Sequence, residues 1–342
     1  MRKELHNLKR YTHLVALALL MAGCTLHKEP EMTATGELGI DPTEVTLDAN
    51  LTLNINLSDK GNPSSTRMVN SEYQYRFIVE AYLNRQVVAR QVFTEEITER
   101  THLSLPVSMK LHARKYQLVV WSDYVKAETQ KADLYYKTES LVPLIGADKY
   151  TGNTEYKDAF AASVEVDLTR YRNEWGAKVP VDIELHRPVA RYELIANDVA
   201  SFLRKVKNGE VTGSKFTARI KYSNYLPVGY NVLDDVPKHS LMYMQYTKSF
   251  SLPAEGTQEF SLAFDYVFVN SGEATYIPVE VEIVNEESKT VANTVVRIPG
   301  ERNKNTIIRG AFLTANPNGG VGFDPEYDGE INVDVEISPI QQ

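Results

Sequence analysis

Leu51, Leu53, Ile55 and Leu57 alternate with Thr52, Asn54 and Asn56, the period-two pattern of a strand with one buried and one wet face. The alternation returns in Val164, Val166 and Leu168, in Val179, Val181, Ile183 and Leu185, in Val279, Val281 and Ile283, and in Ile331, Val333, Val335 and Ile337. One-sided burial points to antiparallel sheets, because parallel sheets covered on both faces read as continuous apolar runs. Short strands separated by Gly, Pro, Asn and Asp clusters predict sandwiches or barrels. One helix interrupts them: Val199, Phe202, Leu203 and Val206 fall at i, i+3, i+4 and i+7. Asp198 can cap its start, and Asn208-Gly209 closes it. A turn or short helix is expected between Thr138 and Gly146.

Two segments resemble each other. Tyr75 to Val92 and the stretch from Tyr276 both run from Tyr through apolar-Glu-apolar to Asn, a polar turn and Val-Ala. Each is followed by an apolar-Pro step, at Leu105-Pro106 and Ile298-Pro299, then a charged loop and another strand. The repeated order predicts a duplicated unit with its junction near His186-Arg187-Pro188, since Pro188 disfavours helix at Arg187. The expected fold is mainly β, with two tandem antiparallel β-sandwiches at 44–186 and 187–342 and the short helix in the second.

The first residues follow another grammar. Arg2, Lys3, Lys9 and Arg10 precede the apolar run His13–Met21, the layout of a secretory signal. The run is about half the ~20 residues that a spanning helix needs. Ala22 and Gly23 set small residues before Cys24, the only cysteine. This resembles the bacterial lipobox, although Met21 replaces the usual Leu. The resemblance implies a signal peptide at 1–23, cleaved between Gly23 and Cys24, and acyl chains on Cys24. Two or more such chains anchor durably where one does not. Thr25 in place of Asp favours the outer membrane, and Lys28-Glu29-Pro30-Glu31 looks like the charged export tag of surface-exposed lipoproteins. Residues 24–43 read as a polar tether.

Removing the leader leaves 33 basic against 44 acidic residues, a net charge of −11. That surface repels phosphate backbones and argues against nucleic acid as a partner. With Cys24 acylated no disulfide can form, so the core alone holds the fold. Twenty tyrosines suit strands.

Candidate chemistry is sparse. His27, His102, His112, His186 and His239 lack ligand spacing, and no Gly-x-Ser-x-Gly elbow occurs. Asp324, Glu326 and Asp328 imitate a calcium loop, but its twelfth position is Val335, and Asp328-Gly329 fits a hairpin turn better. No cofactor or catalytic residue is assigned. Trp121 continues a strand and is expected in the core, whereas Trp175, in Arg172-Asn-Glu-Trp-Gly176, is the candidate for an exposed glycan contact. Tyr222 and Tyr225, with Tyr243 and Tyr246, could line a groove.

Several segments carry a wider resemblance: Val120-Trp-Ser-Asp-Tyr124, Asp133-Leu-Tyr-Tyr136, Gly152-Asn153, Lys157-Asp-Ala-Phe160, Leu185-His-Arg-Pro-Val-Ala-Arg-Tyr192, Asn197-Asp198, Phe264–Asn270, Arg302-Asn303 and Gly310–Thr314. In this order they resemble a Bacteroidetes lipoprotein family of unknown function, related to fimbrial-anchor and minor fimbrial subunit lipoproteins with two transthyretin-like domains. The resemblance implies a lipid-anchored, non-enzymatic surface protein that anchors or caps a fimbrium and meets fimbrial subunits by strand pairing. The strand from Ile331 to Ile337 has the alternation strand donation needs, and Arg67 is a weak candidate for a processing site. The alternative is a surface lipoprotein that captures glycan for an uptake system.

Overall fold

The computed structural model describes residues 45–57, 71–99, 101–129, 132–317 and 330–333. Gly23, Cys24, the tether, Arg67 and the Asp324, Glu326 and Asp328 turn lie outside these residues.

The first half contains β1 (Thr46–Asn56), β2 (Tyr73–Leu83), β3 (Gln86–Glu96), β4 (His102–His112), β5 (Lys115–Lys126), β6 (Tyr136–Lys137), β7 (Leu144–Gly146), β8 (Phe160–Asp167) and β9 (Lys178–Leu185). The second contains β10 (Val189–Ala196), α1 (Val199–Lys207), β11 (Lys215–Tyr222), β12 (Leu226–Asn231), β13 (Val236–Leu241), β14 (Met244–Ser251), β15 (Phe260–Phe268), β16 (Thr275–Asn285), β17 (Thr290–Gly300), β18 (Asn305–Gly310) and β19 (Glu330–Val333). The mainly β expectation holds. Each half is a sandwich: sheets β4-β1-β9 and β3-β2-β5-β8 in the first, β15-β10-β18-β19 and β14-β11-β16-β17 in the second.

Alternation in β1 buries Leu47, Ala49, Leu51, Leu53 and Ile55 against the inner face of β2 and β5, where Phe77, Val79, Leu118 and Val120 close the first core. Each buried leucine, isoleucine or valine of this set contributes about 1.5–3 kcal/mol by leaving water. The second core gathers Tyr192, Leu194, Phe216, Ile220, Val279, Val281 and Ile283, with Phe202 of α1 edge-on to Phe216 at 5.1 Å.

Strand for strand, the halves repeat. In sheet order β4-β1-β9 matches β15-β10-β18, and β3-β2-β5-β8 matches β14-β11-β16-β17. The duplication is therefore present, but the two similar segments are not equivalents. Tyr75–Val92 is the β2–β3 hairpin, whose counterpart is β11 with β14, whereas Tyr276 opens the β16–β17 hairpin, the counterpart of β5 with β8. They look alike because both are closed by tight turns, the first through Asn84 and Arg85, each at positive φ, as a type I′ turn requires.

Where one half has a tight turn, the other has an insertion. β6 and β7 lie between β5 and β8, and β12 and β13 between β11 and β14. The insertions pair with each other as one sheet, β13-β12-β7-β6. Gly229↔Ile145 and Tyr230↔Leu144 form the ladder that joins the halves. A Cβ on Gly229 would lie 2.6 Å from the Leu144 carbonyl oxygen, and one on Gly146 2.8 Å from that of Val228. The close approach needs both glycines.

Two details differ from expectation. β1 pairs with β9, and β10 with β18, in parallel; one-sided alternation is the same whichever way the neighbouring strand runs. Asp198 precedes α1 but makes no side-chain cap to it. Its carboxylate accepts from the backbone N–H of Leu313 (3.0 Å) and Thr314 (2.7 Å), tying the helix start to the segment after β18. Asn208 and Gly209, at φ +77°, end the helix as expected. Thr138–Gly146 is a turn leading into β7.

Candidate functional site

Most of the segments that carry the sequence resemblance are scattered along the chain but converge on the boundary between the sandwiches; Asn197-Asp198 and Gly310–Thr314 meet each other at the start of α1 instead. β5 explains how. Its Leu118-Val-Val-Trp121 run is apolar throughout because it is buried on both faces: Leu118 and Val120 enter the first core, while Val119 and Trp121 enter a third cluster between the halves. There Trp121 meets Tyr136 edge-on at 5.2 Å, and Tyr230 stacks on Phe268 at 5.3 Å. Trp121 is thus core, as expected, but the core it joins lies between the sandwiches.

Around this aromatic cluster sits a shell of buried charge. Arg187, between β9 and β10, places Nε 3.0 Å from both oxygens of Asp158 and Nη1 2.7 Å from Asn303 Oδ1. Arg187 and Asp158 are almost fully buried. His186 exchanges both backbone hydrogen bonds with Ala161 (2.8 and 3.0 Å), stitching the linker to β8. Such a pair is costly to desolvate, and removing one partner strands a charge in the interior.

Lys157 and Tyr150, from the insertion of the first half, reach into the second. Lys157 Nζ lies 2.7 Å from Asp265 Oδ1, and the Tyr150 and Tyr222 hydroxyls donate to Oδ2 at 2.6 and 2.7 Å. The Tyr192 and Tyr222 hydroxyls are 2.6 Å apart, and Tyr246 donates to the Phe264 carbonyl at 3.1 Å. Burial lowers the Lys157 ammonium below its ordinary value, with Asp265 countering in part. Burial, reinforced by the Asp265 charge, pushes the Tyr150 and Tyr222 phenols well above theirs, so they remain donors. Gly152 and Asn153 are explained by the same contact. A Cβ on Gly152 would meet the Tyr246 ring at 2.6 Å. Asn153, at φ +52°, exchanges 2.9 Å hydrogen bonds with the Phe264 backbone.

A third tie closes the outside. Arg302 donates to Asp235 Oδ2 and to its carbonyl, both at 2.8 Å, and His186 Nε2 lies 3.1 Å from Oδ1. Tyr230 also donates to Asp235. Burial pushes the Asp235 carboxyl up, but these hydrogen bonds outweigh it and hold the group well below the usual carboxylate range. At the start of the first insertion, Arg76 binds Asp123 (2.6 and 2.8 Å) and Asp133 (2.8 Å).

None of these pairs was singled out from the sequence. The available signal is a charge inside an apolar run, as in Tyr75-Arg-Phe-Ile78 and Phe264-Asp-Tyr-Val267, which requires a buried partner.

The surface candidates fall elsewhere. Trp175 is exposed (67%) in the turn before β9, and the other strongly exposed aromatics among the described residues, Tyr225 (71%), Tyr243 (76%) and Tyr276, belong to the second half. The proposed tyrosine groove splits: Tyr222 and Tyr246 are buried. Tyr225 and Tyr243 project where two connections run side by side, between register pairs Tyr222↔Met244 and Leu226↔Leu241. A cleft of about 170 Å³ adjoins, lined by Tyr135, Ile145, Lys149, Tyr150, Leu241 and Met244 among others. Among the described residues no three His, Cys, Asp or Glu side chains are placed to hold a metal ion, and no helix is long and apolar enough to cross a membrane.

No curated protein matches the chain. Its fold is similar, at low identity, to several solved structures. One is a candidate cell adhesion protein from Bacteroides ovatus (13% identity, 86% of this chain and 97% of that one, TM-score 0.42). Another is the fimbrial anchor protein Mfa2 from Porphyromonas gingivalis (11%, 77% and 90%, 0.38). A third is a candidate polysaccharide-binding protein from Bacteroides thetaiotaomicron (12%, 79% and 92%, 0.39). A profile of a family of unknown function, DUF6562, matches residues 42–338, which take in both sandwiches and every residue of the junction between them. The chain is a member of the DUF6562 family.

Proposed function

We propose that this protein is a lipid-anchored structural or adhesive protein of the cell surface, a fimbrium-like anchor or accessory subunit. Acyl chains on Cys24 hold it in the outer membrane, residues 24–43 act as its tether, and 44–186 and 187–342 are its two units. The observation that carries this reading is the use made of the motif segments. Most of them build a buried junction that locks two sandwiches together, where an enzyme would converge polar groups on an open pocket.

Strand pairing is the proposed mode of contact with fimbrial subunits. The outer edge of β18 is covered by β19, which pairs Thr306↔Val333 through Arg309↔Glu330. The equivalent edge, on β9, has no partner strand among the described residues. An unpaired edge can accept a strand from another chain.

Fractionation tests the anchor. Wild-type protein is expected in the outer-membrane fraction and Cys24→Ser in the soluble fraction with unchanged circular dichroism; membrane retention of Cys24→Ser would refute it. Co-purification of fimbrial subunits with the wild type tests the partner class.

Capture of glycan is the second reading, favoured by Tyr225 and Tyr243 beside the cleft. Micromolar binding of a polysaccharide, lost in Tyr225→Ala and Tyr243→Ala, with no fimbrial subunit co-purifying, would put it first.

A further inference from the structure

The two parallel strand pairs have a directional consequence. In the first sandwich the chain enters at Thr46, the N-terminal end of β1, and leaves at Leu185, the C-terminal end of β9. These strands lie in parallel register from Asp48↔Lys178 to Ile55↔Leu185. Entrance and exit are therefore at opposite ends of one hydrogen-bonded ladder, about 23 Å apart along eight register pairs. The second sandwich repeats the arrangement, entering at the start of β10 and leaving at the end of β18, with parallel register from Arg191↔Asn305 to Ala196↔Gly310. In both, the entering strand is central in its sheet, held on its other side by β4 or β15.

Tension along such a path slides the first and last strands past each other along their axes. Every hydrogen bond of the ladder is then strained together, so none can be lost singly. Tension applied at one end of the same pair opens it bond by bond.

We infer that the fold has a further function: it carries mechanical tension between the N-terminal tether and the segment after β18, each sandwich resisting by shear of its parallel strand pair. Between them the linker does not stand alone. Arg187 is fixed on Asp158, His186 on Ala161, and the β7–β12 ladder runs beside it. Tension crossing from β9 to β10 is shared with the aromatic cluster and the inserted sheet. The inference rests on the anchoring proposal only for the source of tension; soluble Cys24→Ser is the test of that proposal, and force measurements on purified protein do not depend on it.

Single-molecule pulling on the chain from Cys24 onward tests the inference, because unacylated Cys24, the only cysteine, can serve as one handle. The second handle is Pro317→Cys, which loads both ladders in shear, or Glu174→Cys, which lies beside Thr46 at the same end of the β1–β9 pair and peels it. Both positions are exposed, and thermal melting should confirm that both variants fold as the parent does. With the ladder bonds strained together, the first rupture through Pro317→Cys is expected at a higher force than rupture through Glu174→Cys. Equal forces, or a lower force through Pro317→Cys, would overturn the inference.

Discussion

The two sandwiches share a seven-strand order, and each expands a different hairpin of it. The first closes β2–β3 with a two-residue turn and expands the β5–β8 connection; the second closes β16–β17 tightly and expands β11–β14. Neither expansion makes a sheet by itself, since β6–β7 and β12–β13 are short pairs that complete each other across the boundary. Isolated two-stranded hairpins are marginal in water. The difference between the halves is therefore what holds them together: each departs from the shared plan where it meets the other.

The strongest way to break this arrangement is Arg187→Ala. It leaves the Asp158 carboxylate buried without its guanidinium, at an expected cost of about 3–5 kcal/mol in chemical denaturation. Trp121→Ala should cost a similar amount, about 3–5 kcal/mol, and should loosen both halves, whereas Phe202→Ala should act on the second alone. Hydrogen exchange resolved by segment distinguishes the two patterns. Gly229→Val forces a side chain against the Leu144 carbonyl, and an expected loss of about 1–3 kcal/mol should appear first as faster exchange in β7 and β12.

Acid should act on the outer tie. The Asp235 carboxyl is held below its ordinary value, so the unfolded chain takes up its proton first as pH falls. Its contribution is complete above the unfolded pKa of about 4 and is lost as pH drops through the lower folded value. The stability that Asp235 contributes is therefore expected to be sensitive to acid. Below pH 4 stability should fall more steeply in the parent than in Asp235→Asn. The smallest effect belongs to Trp175→Ala, outside the junction, which should change stability by less than about 0.5 kcal/mol.

Much of this was written in local patterns. One-sided alternation located β1, β9 and β16, and Asn208-Gly209 marked the end of α1. The rest depends on long-range partners. Alternation is blind to strand direction, so β1–β9 and β10–β18 could not be recognised as parallel. The likeness of Tyr75–Val92 to the stretch from Tyr276 reflects the shared grammar of tight hairpins, and it suggested duplication through the wrong pair of strands. Asp198 has the position of a cap, but Leu313 and Thr314 offer it better donors. Asp265, Lys157 and Arg187 were visible only as residues within motifs, because nothing local says that Lys157 will find Asp265 108 positions away or that Arg187 will find Asp158 at 29.

The central claim is that the halves form one rigid body through the junction. Spin labels on Val88→Cys in the first half and Glu287→Cys in the second, both exposed, in a Cys24→Ser background, report it directly. A single narrow distance distribution is expected, broadening when Gly229→Val is added; a broad distribution without that substitution would contradict the claim.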